Sequence, residues 1–121
     1  SHAEYKITKD GRIVIMEIGG RMGGDFIGSD LVKLSTGYDF VKGVIDVALD
    51  EFTEPVKTLN MCSGVYFLCK ETEHLKEIIE NWEDNPSFVE GDITGTELRE
   101  VTCSADRSGY VIYKSKDKIR I

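Results

Sequence analysis

An α+β fold follows from three features of the sequence. β-prone runs and amphipathic stripes occur in the order ββαα and then βαβββ, which groups strands together rather than alternating them as a doubly wound parallel sheet would. Asp10-Gly11, set between two apolar runs near the start, marks an antiparallel hairpin. The chain of 121 residues is long enough to bury a core without a disulfide or metal staple.

The first two strands are expected over Ala3–Thr8 and Arg12–Ile18, with Asp10 and Gly11 as a two-residue turn that needs positive φ at both positions. Ile13-Val14-Ile15-Met16 is apolar at consecutive positions, which predicts a strand covered on both faces. Glycine is dense here, with eight of the twelve glycines between Gly11 and Gly43. An irregular glycine-rich segment leads to a short helix over Ser29–Leu34. A longer helix is predicted over Tyr38–Phe52. Its apolar stripe is Tyr38, Val41, Val44, Ile45, Ala48, Leu49 and Phe52, and Thr36 and Asp39 have capping-box spacing before it.

The polar segment Glu51–Met61 carries Pro55 and divides the chain into residues 1–53, a linker at 54–61, and a small unit at 62–121. In that second unit Gly64–Lys70 is a β-prone run. Thr72 is placed to cap a helix with Leu75, Ile78, Ile79 and Trp82 on one face, stopped by Asp84-Asn85-Pro86. Further strands are expected at Ser87–Ile93, Leu98–Cys103, Gly109–Ser115 and Ile119–Ile121.

Charge narrows the function classes. With 15 Lys+Arg against 22 Asp+Glu the net charge is −7, which argues against a nucleic-acid partner. No apolar run approaches the ~20 residues of a membrane span, and no secretory signal pattern is present. Cys62, Cys69 and Cys103 form no C-x-x-C and have only His2 and His74 for company, so a zinc ligand set is missing. They read as small core hydrophobes in a reduced, cytoplasmic setting.

The chemistry concentrates at the hairpin. With Asp10-Gly11 as the turn, Glu4 falls directly opposite Glu17. Like charges so placed are unfavourable, and two converging carboxylates suit Mg²⁺, which keeps its other positions for water and phosphate oxygens. A longer turn would shift the register and leave both as ordinary surface residues. Arg21, just past Gly19-Gly20, stands where an anion-binding guanidinium is commonly found. The glycines at 19, 20, 23, 24 and 28 match neither the dinucleotide fingerprint nor the P-loop. Asp25 suits either a substrate amine or a solvated loop. His74 and the lysines at 114, 116 and 118 read as solvated surface.

The stretch AEYKITKDGRIVIMEIGGRMGGDFIGSDLVKLSTGYDFVKGVIDVAL resembles the C-terminal end of an ATP-grasp domain. The nearest likeness is to L-amino-acid ligases and carbamoyl-phosphate-synthase large-subunit-like proteins. The tail, with GVYFLCKET and SADRSGYVIY, is similar to the small β-rich α+β domain that follows in those ligases. The resemblance implies that Glu4 and Glu17 bind Mg²⁺ or Mn²⁺. It implies that Arg21 is a catalytic residue contacting the transferred phosphate of ATP, and that Gly23, Gly24 and Asp25 position substrate. The family's usual Asn is Gly19 here, which removes one expected metal ligand. The implied activity joins a small-molecule carboxylate to an amine through an acyl-phosphate. The adenine clamp, phosphate-binding lysines and lid cannot be placed in these residues, so the chain reads as a fragment that is inactive alone, or else as an interaction or regulatory module retaining an ATP-grasp remnant. The raw edge of the hairpin favours a homodimer.

Overall fold

Two antiparallel sheets divide the chain in the computed structural model, which describes residues 1–121. β1 (His2–Ile7) and β2 (Ile13–Gly19) make a two-stranded hairpin. β3 (Cys62–Leu68), β4 (Phe88–Ile93) and β5 (Gly109–Ser115) make a three-stranded sheet in the order β3-β5-β4. The helices are α1 (Val32–Thr36), α2 (Phe40–Ala48) and α3 (Lys76–Glu80). The fold is α+β. No helix is long and apolar enough to cross a membrane.

The core belongs to the second sheet. Leu68, Leu75, Ile79, Phe88, Val111 and Tyr113 form the buried cluster, with Tyr66, Ile78, Trp82, Ile93, Leu98 and Ile119 packed around it. Side chains alternate along β5, so Val111 and Tyr113 enter this cluster while Ile112, also buried, faces the other side. There α1 and the π-helical turn Ile27–Leu31 lie against β3, tied by a 2.8 Å hydrogen bond from the Ser63 hydroxyl to the Leu31 carbonyl. Gly91 is required where β4 passes Trp82. A Cβ there would lie 2.8 Å from the indole Cγ.

Several expectations are corrected. β2 is not covered on both faces: Ile13, Val14, Ile15, Met16 and Ile18 are all exposed, because no helix or further strand is laid over either face of this two-stranded hairpin. The helix expected over Ser29–Leu34 is a π-helical turn running into α1, since the Leu31 N–H donates to Phe26, not Ile27. α2 is shorter than the Tyr38–Phe52 stripe. Asp50 takes φ 60° and ends it, after the Glu51 N–H has reached back to Asp46. Asp39 is its N-cap, accepting from the Lys42 N–H at 3.0 Å, while Thr36 Oγ1 serves α1 and the Tyr38 N–H instead of a capping box.

In the tail, Thr72 is not the N-cap. Cys69 is, and Thr72 Oγ1 accepts from the Cys69 N–H at 3.0 Å within a 3₁₀ turn, Lys70–Leu75, that precedes α3. Leu98–Cys103 forms no strand. Asp106 captures the Thr102 and Cys103 N–H groups, folding that stretch into a turn. Ile119–Ile121 is not a strand either; the Ile119 carbonyl accepts from the Tyr66 hydroxyl at 2.6 Å. Of the cysteines only Cys69 is buried, Cys103 being exposed. Residues 51–61 have no regular secondary structure, and the Thr58 and Leu59 N–H groups donate to the Thr36 carbonyl.

Candidate functional site

Glu4 does face Glu17, through a different route from the expected turn. Thr8–Arg12 forms the loop, closed by the Thr8 N–H to the Arg12 carbonyl at 2.9 Å and the Gly11 N–H to the Thr8 carbonyl at 3.0 Å. Only Gly11, at φ +81°, is left-handed in it. This longer loop moves the register by one, pairing Ile7 with Ile13 and Tyr5 with Ile15. A β-bulge at Met16 then moves it back, so that Glu4 opposes Glu17. Loop and bulge cancel.

The bulge also sorts the faces. Ala3, Tyr5 and Ile7 with their partners Ile18, Ile15 and Ile13 make a continuous apolar face. His2, Glu4, Lys6 and Glu17 stand on the other. Both glutamates are solvent-exposed, and neither forms an ion pair. No third His, Cys, Asp or Glu joins them into a metal-holding group. Two hard carboxylates open to water still fit Mg²⁺ or Mn²⁺, which complete their shell with water and phosphate oxygens.

Gly19 follows the pair. A Cβ built there lies 3.7 Å from Arg21 Cγ and 3.9 Å from Glu17 Oε1, both ordinary contacts. Position 19 therefore has room for a Cβ beside the Glu17 carboxylate and the Arg21 stem. Arg21 is exposed, donates from Nη1 to the Met22 carbonyl at 2.9 Å, and has no carboxylate partner. It lines a cavity of about 440 Å³ together with Gly20, Met22 and residues of α2.

The other predicted substrate residues lie apart from that cavity. Gly23 is packed under the His2 ring, where a Cβ would sit 2.9 Å from Cδ2. Gly24 has open space beside it. Asp25 turns toward the tail and accepts from Arg107 Nη1 at 2.6 Å. Asp25 and Phe26 both adopt left-handed φ, 52° and 65°, a strained turn that swings the Phe26 ring to 4.5 Å from Tyr110. The Arg107 guanidinium lies 3.9 Å over the Phe67 ring. Arg107, Phe67 and Tyr110 thus fasten the glycine-rich loop to the second sheet. Sequence reasoning missed this fastening, since no local pattern links positions so far apart.

Two tail groups are strongly perturbed. The Asp106 carboxyl is held down at about 2 by hydrogen bonds from the Thr102 hydroxyl and the Thr102 and Cys103 N–H groups. The Tyr110 phenol is pushed up to about 12, chiefly by its hydrogen bond to Glu90. These bonds hold a turn and two strands in place, away from the hairpin. No protein-family model, curated protein or solved structure matches the chain.

Proposed function

We propose that this chain is the C-terminal part of an ATP-grasp carboxylate–amine ligase. The observation that carries the reading is the direct opposition of Glu4 and Glu17, with an unpaired Arg21 just beyond the strand end. Mg²⁺ or Mn²⁺, when bound, neutralises charge developing on the phosphates. Glu4 and Glu17 supply its protein ligands. Arg21 holds the phosphoryl group as it moves to the substrate carboxylate, a role suited to a guanidinium that no protein carboxylate engages. A carboxylate oxygen of the substrate attacks the γ-phosphorus and ADP leaves. The amine nitrogen then attacks the acyl carbon, phosphate leaves with the bonding pair, and the amine loses a proton to give the amide.

The test is ADP and phosphate release by the full-length protein with ATP, Mg²⁺ and mixed amino acids. Glu17→Gln and Arg21→Ala should each lower turnover by about 100-fold or more. Unchanged turnover in both variants would overturn the assignment. The 121-residue chain alone should be inactive, and robust turnover by it would overturn the reading.

The hairpin favours a second reading, an interaction module. β1 has a free edge, and its apolar face is bare. Antiparallel addition of a second copy about Tyr5 sets Glu4 against Lys6 of the other copy twice over, and Ala3 against Ile7. Sedimentation at several concentrations should show a dimer that Lys6→Glu weakens. A strict monomer at high concentration would remove this reading.

A further inference from the structure

The connection from β4 to β5 folds round a cavity of about 500 Å³, in the tail and apart from the hairpin. That volume lies within the ~300–1,000 Å³ typical of small-molecule sites. Its walls are fixed from two sides. Buried Ser108 is the hub of one. Its carbonyl accepts from the Thr94 and Gly95 N–H groups at 2.9 and 3.1 Å, its hydroxyl donates to the Glu97 carbonyl, and its own N–H donates to the Leu68 carbonyl at 2.8 Å. The other is the turn closed by Asp106, whose Oδ2 accepts from the Thr102 N–H and hydroxyl and from the Cys103 N–H. These bonds hold the connection in one shape, so the cavity is formed ahead of any ligand.

The lining is polar, with Ala105 its one apolar side chain. Two guanidiniums stand in it. Arg107 donates from Nη1 to Asp25 at 2.6 Å and rests 3.9 Å over the Phe67 ring, so it is fixed in place while the rest of its five-donor fork stays unspent. Arg99 donates from Nη2 to Glu97 at 3.1 Å, an ion pair whose side chains are 64% and 75% exposed and which is therefore weak. Thr94 and Thr96 add hydroxyls, and the Thr96 and Glu97 N–H groups find no backbone acceptor. Asp106, the remaining charge, is engaged by the turn it closes. The unspent capacity of this lining is mainly that of donors, which calls for an acceptor-rich ligand. Two planar forks suit the dianion of a phosphomonoester better than they suit a single carboxylate. A bare phosphate would fill only a small part of the space, and the remainder offers hydroxyls with no aromatic ring to stack on.

We propose that this cavity binds a small phosphomonoester with a hydroxylated body, a sugar phosphate in class, its phosphate on Arg99 and Arg107 and its hydroxyls on Thr94, Thr96 and Glu97. Phosphate takes Arg99 from Glu97, and the freed carboxylate accepts from ligand hydroxyls. The site rests on none of the ligase chemistry. Arg107 also couples it to the glycine-rich loop. With Nη1 on Asp25 and its remaining edge on phosphate, the guanidinium is held from two sides, so a bound ligand steadies the loop to which Asp25 belongs.

The test titrates ribose 5-phosphate into the ¹⁵N-labelled chain at neutral pH without metal. Amide shifts should concentrate at Thr94, Gly95, Thr96, Arg99, Arg107 and Ser108. Ribose alone should move none of them, and inorganic phosphate should move them with about tenfold weaker affinity, as expected for loss of the bonds to the hydroxylated body. Arg99→Gln, at an exposed position, should weaken ribose 5-phosphate about tenfold or more while the Val111 and Ile112 resonances stay in place. Glu97→Gln should tighten it about threefold, because it removes the carboxylate that competes for Arg99. Amide exchange over 25–31 should slow when the site is filled. Unchanged affinity in Arg99→Gln, or shifts at Gly20–Met22 in place of 94–108, would overturn the site. Inorganic phosphate binding as tightly as the ester, or AMP binding more tightly than ribose 5-phosphate, would overturn the hydroxylated class of ligand. Exchange over 25–31 that stays the same or rises on binding would overturn the coupling through Arg107.

Discussion

β2 and β5 are both seven-residue strands rich in apolar side chains, and they end in opposite surroundings. Val111, Ile112 and Tyr113 of β5 are 0%, 1% and 4% exposed, whereas Ile13, Ile15 and Ile18 of β2 are 69%, 57% and 62% exposed. Composition does not separate them; neighbours do. β5 is the central strand, paired on both edges, with α3 and the Leu75 turn on one face and the α1 region toward the other. β2 has a single partner and no layer on either face. An apolar run therefore records a demand for cover, and in this chain the demand is met only in the second sheet. An isolated two-stranded hairpin is marginal on its own, and each uncovered isoleucine forgoes part of the roughly 1.5–3 kcal/mol that full burial contributes.

The largest effect that tests this contrast is a pair of truncations. Ile79→Ala removes a fully buried side chain from the cluster on β5 and should cost about 2–5 kcal/mol in urea unfolding. Ile13→Ala removes an exposed one and should change stability by less than about 0.5 kcal/mol. Comparable losses would mean that the hairpin is covered in solution, as it would be by a second copy.

Most of the tail was legible because its signals are local and mutually consistent. Gly109–Ser115 is a strand with the expected limits, and the Leu75, Ile79 and Trp82 face packs where its period places it. Leu98–Cys103 failed because side-chain capture of backbone by Asp106 outweighs β-propensity, and that competition depends on a residue beyond the run. At the site, the Glu4–Glu17 opposition was legible while its cause was not. A turn of different length and a bulge each alter register by one, and alternation alone cannot reveal two compensating changes. The Asp25–Arg107 pair was illegible for a simpler reason: it is a tertiary contact with no sequence spacing of its own.

That pair joins the two regions and gives an intermediate effect. Arg107→Ala removes a partly exposed ion pair and a stack on Phe67, each worth up to about 1 kcal/mol. Global unfolding should move by about 1 kcal/mol. Amide exchange should rise far more over 25–31 than across β5, because the strained Asp25–Phe26 turn then loses its outer anchor. Equal exchange in both places would show that Arg107 supports the sheet itself and not the docking of the loop.

The smallest effect compares two carboxylates that each hold a turn, Asp10 in the hairpin loop and Asp106 in the tail. The Thr8 hydroxyl and the Arg12 side chain lower the Asp10 pKa, while Asp106 is held at about 2 by three donors, two of them backbone N–H groups. A carboxyl depressed in the folded state stabilises above its unfolded pKa, here 3.8 for Asp106, and that stabilisation is lost as pH falls through about 2. Acidification from pH 5 to 2 should therefore loosen residues 102–106 progressively below about 4. Asp10 is exposed and Asp106 lies half-buried in a surface turn, so melting temperature should move little and the readout is local. In Asp106→Asn the Thr102 and Cys103 amides should exchange faster at pH 5 and lose their dependence on pH between 4 and 2. A ¹³C-detected titration that found Asp106 ionising at an ordinary value near 4 would refute the captured-backbone account of why Leu98–Cys103 is not a strand.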